Sequence, residues 1–294
     1  MPTLIDVPPN ESAATLYLEG ALEKIGYSIE DVARIIVTHP HFDHFGSAEW
    51  IVTKSQAEVW IFKDAVKYLE NPQEELEKDL LYYRHFLEWA GTPKDGGEYL
   101  HEFYRNAQRL GCTVQVSKRI EDGERIEIGD SFLTAINVPG HTPWCTILYD
   151  PQNDFAFTGD FLIKNVSSNA VVQRPSHTDK GYKSLKAYIS SLNHIKDTGL
   201  RRAFPGHGEE IEDAQGRITE ILSLIRDRQR NIIDILTKKP STPYEIMDQL
   251  LPHLSDFHVM LGISEVVGHL ELLEEDGVVE RDKSNKACLF YLMR

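Results

Sequence analysis

The 294-residue sequence predicts an α/β chain whose strand ends carry metal-binding side chains, followed by a smaller helical tail. Three observations predict it. Arg34-Ile35-Ile36-Val37 is a short, uninterrupted, β-branched run that reads as a buried strand, and it leads directly into Thr38-His39-Pro40-His41-Phe42-Asp43-His44-Phe45-Gly46. Further histidines and aspartates stand beside glycines after apolar stretches, as Gly140-His141, Gly159-Asp160 and Gly206-His207. From about Asp213 the pattern turns helical and closes on a hairpin.

In an extended segment alternate side chains share a face, so His39, His41 and Asp43 can point the same way. His44 then turns to a second point as the backbone bends toward Gly46. Imidazole and carboxylate together suit zinc, iron or manganese. With His141, Asp160 and His207, the donors suffice for a dinuclear site.

Composition narrows the class. An apolar fraction of 41% with 26% charged residues is that of a soluble globular chain and argues against disorder. Cys112, Cys145 and Cys288 form neither a CxxC motif nor a pairing framework, which points to a reducing compartment. No basic leader and no membrane-length apolar run are visible, so a cytoplasmic protein without membrane contact is expected. A formal net charge of −15 disfavours phosphate backbones and hence nucleic acid.

The motifs HPHFDH (39–44), GHTP (140–143), TGD (158–160) and PGHG (205–208), in this order, resemble those of metallo-β-lactamase-fold hydrolases, with a glyoxalase II-like pattern. The resemblance covers roughly the first three quarters of the chain. It implies an αββα four-layer sandwich over residues 1–220. It also implies that His39, His41 and His141 hold one metal, that Asp43, His44 and His207 hold a second, and that Asp160 bridges them. Two divalent ions are then expected, zinc foremost, with iron or manganese open. A shared hydroxide would attack a carbonyl or phosphoryl centre, and Asp43 would also act catalytically by orienting it. Asp6, in a segment similar to the family's IDTG with Val7-Pro8 in place of Thr-Gly, would orient a ligand; the alternative is a strand-end turn aspartate. Family strands that usually precede this point are reduced or missing, so the sheet edge should be covered in a homodimer or by a local rearrangement.

Thr3 to Ile5 reads as a strand, and Ala13 to Gly26 has helical spacing with a glycine stop. Ser28 to Asp31 resembles a capping box. A helix is expected from about Ser47, and Val59 to Phe62 as a strand. Residues 64–110 form a helical insertion, with helices over Glu74 to Ala90 and Gly97 to Leu110, joined by the turn-rich 91–96. Its aromatics make it a lid over the metals or a face packed on the sandwich or on a partner subunit. Thr113 to Val116, Arg125 to Ile128, Phe132 to Val138, Thr146 to Tyr149 and Phe155 to Phe157 form a strand series. Trp144-Cys145 replaces the glycine that normally follows GHTP, which leaves pocket shape open, and Cys145 reads as a small buried residue. The loop after Asp160 offers Asn165, Arg174 and His177 for substrate contact, with Tyr182 opening the next helix.

The tail, residues 221–294, reads as the end of a long helix, a capped helix from Thr242-Pro243, a third over Ile263 to Glu275, and a hairpin turning at Ser284-Asn285. This resembles the winged-helix domain of one branch of the family. Glu265, Glu271, Glu274, Glu275 and Asp276 on the third helix argue for packing, dimerisation or substrate shaping rather than DNA binding. The function expected is metal-dependent hydrolysis of a thioester or ester of a small-molecule, acyl-CoA-like substrate. The alternatives are a single-strand endoribonuclease and a mononuclear iron oxygenase of the same fold.

Overall fold

The computed structural model describes residues 1–93, 96–175, 181–282 and 287–293. Strands β1 (Thr3–Ile5), β2 (Arg34–Val37), β3 (Glu58–Phe62) and β4 (Lys118–Ile120) form a parallel sheet in that order. Parallel neighbours need crossovers, and helices α1 (Ser12–Lys24), α2 (Phe42–Phe45) and α3 (Ala48–Ser55) lie in the first two. A second sheet runs β5 (Arg125–Ile128), β6 (Ser131–Asn137), β7 (Thr146–Asp150), β8 (Phe155–Gly159) and β9 (Arg202–Pro205). It is antiparallel except for the β8–β9 pair.

Strand alternation separates four layers. Ile35 and Val37 of β2, with Val59 and Ile61 of β3, bury against α1, α3 and α4 (Val66–Glu70). Ile36 and Trp60, one residue out of phase, instead meet Ile126, Leu133, Ala135 and Leu148 between the two sheets. Beyond the second sheet, Ile147 and Ala156 pack on α7 (Ser184–Asp197) and on the first half of α8 (Ala214–Leu236). The result is helix, sheet, sheet, helix.

A separate apolar cluster joins α5 (Pro72–Trp89) and α6 (Gly96–Leu110) to the second half of α8, to α9 (Pro243–Leu250) and α10 (Phe257–Glu275), and to the hairpin β10 (Val279–Asp282)–β11 (Leu289–Leu292). Backbone bonds reinforce it: Tyr244 N–H donates to Ala90 C=O at 3.0 Å and Cys288 N–H to Trp89 C=O at 2.9 Å. The insertion therefore packs on the tail, not on the sandwich alone.

Two boundaries differ from expectation. Thr113 to Val116 is not a strand; the ladder begins at Lys118. Its amide donors are taken elsewhere, Val114 N–H by Leu69 C=O and Val116 N–H by the Glu70 carboxylate, while the Val114 side chain is buried behind the sheet. Helix α10 begins at Phe257 rather than Ile263, because Phe257, Met260 and Leu261 already face the tail cluster. The hairpin turn at Ser284-Asn285 lies outside the described residues.

Candidate metal centre

Each donor follows the C-terminal end of a strand. Strand β2 feeds His39, His41, Asp43 and His44; β6 feeds His141, β8 feeds Asp160 and β9 feeds His207. Strands β6, β8 and β9 run the same way, so their ends meet at one rim. Two glycines allow close approach there. A Cβ on Gly159, whose φ is +47°, would run into the Thr38 side chain. One on Gly206 would lie 2.5 Å from His44 Cε1 and 3.0 Å from Asp160 Oδ1.

The side chains converge in two groups. In the first, Nε2 of His39 and Nε2 of His141 each lie 3.0 Å from Nδ1 of His41. Oδ2 of Asp160 is 4.0 Å from the former and 3.7 Å from the latter. In the second group, Nε2 of His44 and Nε2 of His207 are 3.2 Å apart, with Asp43 Oδ2 3.3 Å from His207. Oδ1 of Asp160 is 3.4 Å from His44 and 3.6 Å from His207. Asp160 thus offers one oxygen to each group.

This donor set fits divalent metals. Ligand atoms about 2.0–2.1 Å from a tetrahedral zinc are about 3.3 Å from one another, close to the separations seen here. The tautomers agree. Nδ1–H of His141 donates to Asn169 C=O at 2.8 Å, that of His44 to Asp6 Oδ2 at 2.8 Å, and that of His39 to Thr38 Oγ1 at 3.0 Å. Thr38 Oγ1 in turn donates to Asp6 at 2.7 Å. The opposite nitrogens of His39 and His141 are therefore lone pairs aimed inward, and that of His44 is the atom that would exchange a proton for a metal. Asp160 Oδ1 is buried with no hydrogen-bond partner.

Asp6 thus braces one histidine of each group. It has φ +58°, the left-handed region, and its other oxygen accepts Thr38 N–H at 2.7 Å. Asp6, His39 and His44 also cluster closely enough to suggest a ligand group of their own. The Asp6 carboxylate already accepts three hydrogen bonds, from Thr38 N–H, Thr38 Oγ1 and His44 Nδ1–H.

Electrostatics favour a cation. Burial, then the neighbouring histidines, keeps the His39 imidazole neutral far below its ordinary pKa, and burial brings His41 down to about 3. Burial opposes ionisation of Asp43, yet the His207 hydrogen bond and the surrounding imidazoles hold its carboxyl well below the usual range. For His44, burial is outweighed by Asp6 and Asp160, which raise it. Burial pushes the Cys145 thiol up to about 12, unsuited to a nucleophile.

The residues expected to contact substrate are placed elsewhere. Arg174 turns to α5, where Glu75 and Asp79 accept from it at 2.9 and 2.8 Å. Asn165 is exposed and Tyr182 half-buried, and neither lines the cavity beside the centre. His177 lies outside the described residues. Thr38, to which the motif itself assigns no role, is part of the Asp6 brace; a hydroxyl directly before the first histidine was the available signal. Asn169 acts through its backbone and left no signal.

The centre opens on a cavity of about 650 Å³. His41, Asp43, His141 and Asp160 contribute to its wall, as do Trp144, helices α5 and α6, and the start of α10.

The family model described as the metallo-beta-lactamase superfamily matches residues 3–207, most of the chain and all seven donors. The chain belongs to that superfamily. As such it is similar to the "Probable metallo-hydrolase YqjP" of Bacillus subtilis, 28% identical over 292 residues, 99% of this chain and 90% of that protein. Among solved structures it is similar to the metallo-beta-lactamase family protein TTHA1429 from Thermus thermophilus, with TM-score 0.81 and 26% identity over 98% of this chain and 89% of that one. Over 129 residues, 43% of this chain and 36% of the relative, it is 28% identical to the atrochrysone carboxyl ACP thioesterase dmxR1 of a Cryptosporiopsis species. A metal-binding hydrolase fold is thereby placed around this donor set. No helix among the described residues is long and apolar enough to cross a membrane.

Proposed function

We propose that the chain is a dinuclear metal-dependent hydrolase acting on a thioester or ester. The observation that carries the reading is Asp160, whose two oxygens face two separate donor groups. His39, His41 and His141 would hold one ion and Asp43, His44 and His207 the other, zinc being favoured by the imidazole-rich set and iron or manganese being the alternatives. Bound metals would supply Lewis acidity toward the substrate carbonyl and acidify a water. Asp43, on the cavity wall, would orient that water by accepting a hydrogen bond from it. Asp6 and Thr38 keep His39 and His44 in the ligating tautomer. The cavity would receive the acyl group, and the partial likeness to a thioesterase supports that substrate class.

Three helices, a hairpin and a Ser241–Phe290 bridge beside it support reading the tail as winged-helix-like. We read residues 221–294 as a substrate-shaping module rather than a nucleic-acid reader. Helix α10, which would enter a groove, is instead buried along most of its length.

The test is a screen of acyl-CoA, aryl ester and glutathione thioester hydrolysis by metal-loaded protein, with chelated and Asp43→Ala protein as controls. Metal-dependent turnover lost in Asp43→Ala is expected. Silence toward all three classes, with cleavage of single-stranded RNA, would reverse the reading.

A further inference from the structure

Away from the metal donors, the wall of the cavity is mostly apolar and aromatic: Leu76, Leu80 and Tyr83 come from α5, Phe103 from α6, and Phe257 and Leu261 from α10. Among the described lining residues there is no lysine or arginine. Its one carboxylate outside the donor groups, Asp79, is bonded to Arg174 at 2.8 Å. Other polar side chains on the wall include the amides of Gln73, Gln108 and Gln173, the His258 imidazole and tyrosine hydroxyls. Away from the metal donors an anionic group would therefore find no permanent side-chain cation to replace its lost water.

Two helices distant in sequence, α6 and α10, meet on this wall. The rings of Phe103 and Phe257 stack at 3.9 Å between centroids and 10° between planes, and Phe42, directly after the donor His41, lies 5.9 Å from Phe103. The aromatic wall therefore runs from the metal loop to the tail. A volume of about 650 Å³ is that of a site for a medium-sized organic group rather than an acetyl.

We infer that the cavity selects a bulky, uncharged, apolar acyl group, and that the Phe103–Phe257 pair, contributed jointly by insertion and tail, sets its size. The assignment rests on the hydrolase reading for its catalytic consequence but not for binding. Apolar surface is removed from water as the acyl group lengthens along this wall, so binding should strengthen with chain length. Neither Phe103 nor Phe257 is among the metal donors, so in this assignment they would meet the acyl part and not the reacting carbonyl.

The experiment uses the full metal-loaded chain and two readouts. In the first, the neutral fluorophore N-phenyl-1-naphthylamine is titrated and displaced with 1-dodecanol or with succinate. Saturable binding displaced by dodecanol and not by succinate is expected; no binding, or displacement by succinate instead, overturns the inference whatever the enzyme hydrolyses. In the second, p-nitrophenyl esters from acetyl to dodecanoyl are compared with the succinyl monoester. The expected result is a kcat/KM that rises by at least roughly tenfold from acetyl to dodecanoyl, with the succinyl ester poor. Phe257→Ala should move the preferred length upward through KM with kcat little changed, and Phe103→Leu, a milder change, should do the same to a smaller degree. A length profile unmoved by either folded variant contradicts the assigned size determinant. If no ester is cleaved while the fluorophore binds as described, the hydrolase reading fails and the apolar site stands.

Discussion

The Asp6 carboxylate reaches both donor groups: it accepts Nδ1–H of His44 at 2.8 Å and, through Thr38 Oγ1, supports His39. One residue just after the first strand therefore sets the tautomers of a histidine in each donor group. Loss of such a brace typically costs 10–100-fold in metal affinity.

Asp6→Ala should weaken metal binding by about 10–100-fold while all seven donors remain. Asp6→Asn, which tolerates the left-handed backbone and can still accept from His44 through its amide oxygen, should lose less. Chelator competition followed by metal analysis measures both. Equal metal affinity in wild type and Asp6→Ala would show that Asp6 is only a turn residue.

Gly206→Ala tests the packing of the rim. The added methyl would lie 2.5 Å from His44 Cε1, so the imidazole or the β9 loop must shift. A displacement of this size should cost activity by about 100-fold. The melting temperature of the metal-free protein should change little, since the rim is not the core. A variant with wild-type turnover would mean that the rim adjusts freely.

Glu271 provides a pH-dependent contrast. Burial, only partly offset by Lys183 and Arg281, raises its pKa from 4.5 to about 7. Below about pH 4.5 both folded and unfolded states hold the proton and Glu271 imposes no penalty. As pH rises toward 7 the unfolded chain ionises first, so folding loses stability until the folded group also ionises. Glu271→Gln should therefore match wild type near pH 4.5 and exceed it by roughly 1–2 kcal/mol at pH 8 after solvent screening. Denaturant melts of both proteins at the two pH values give the difference. An advantage at low pH alone would contradict the assignment.

Several strands of the sandwich and the cluster His39, His41, Asp43 and His44 could be read in the sequence because both are local. Ile35, Ile36 and Val37 mark a strand by their β-branched run, and three histidines follow within seven residues. His141, Asp160 and His207 take their places in the centre only through the resemblance of their motifs to the family's. Long-range pairing was not legible. Arg174 looked available for substrate, but its partners Glu75 and Asp79 stand 99 and 95 residues away. Phe103 and Phe257 carry no shared signal, and their stack appears only once the insertion packs on the tail. Thr113 to Val116 alternates like a strand because Val114 is buried, although its amide bonds to α4. Pattern reports burial there, not pairing.

The most direct test of the central claim is metal content per chain, measured by mass spectrometry on protein purified without chelator or histidine tag. A shared dinuclear centre predicts about two divalent ions in wild type and about one or fewer in Asp160→Ala, which removes an oxygen from each group at once. Wild type saturating at about one ion, with Asp160→Ala unchanged, would contradict it.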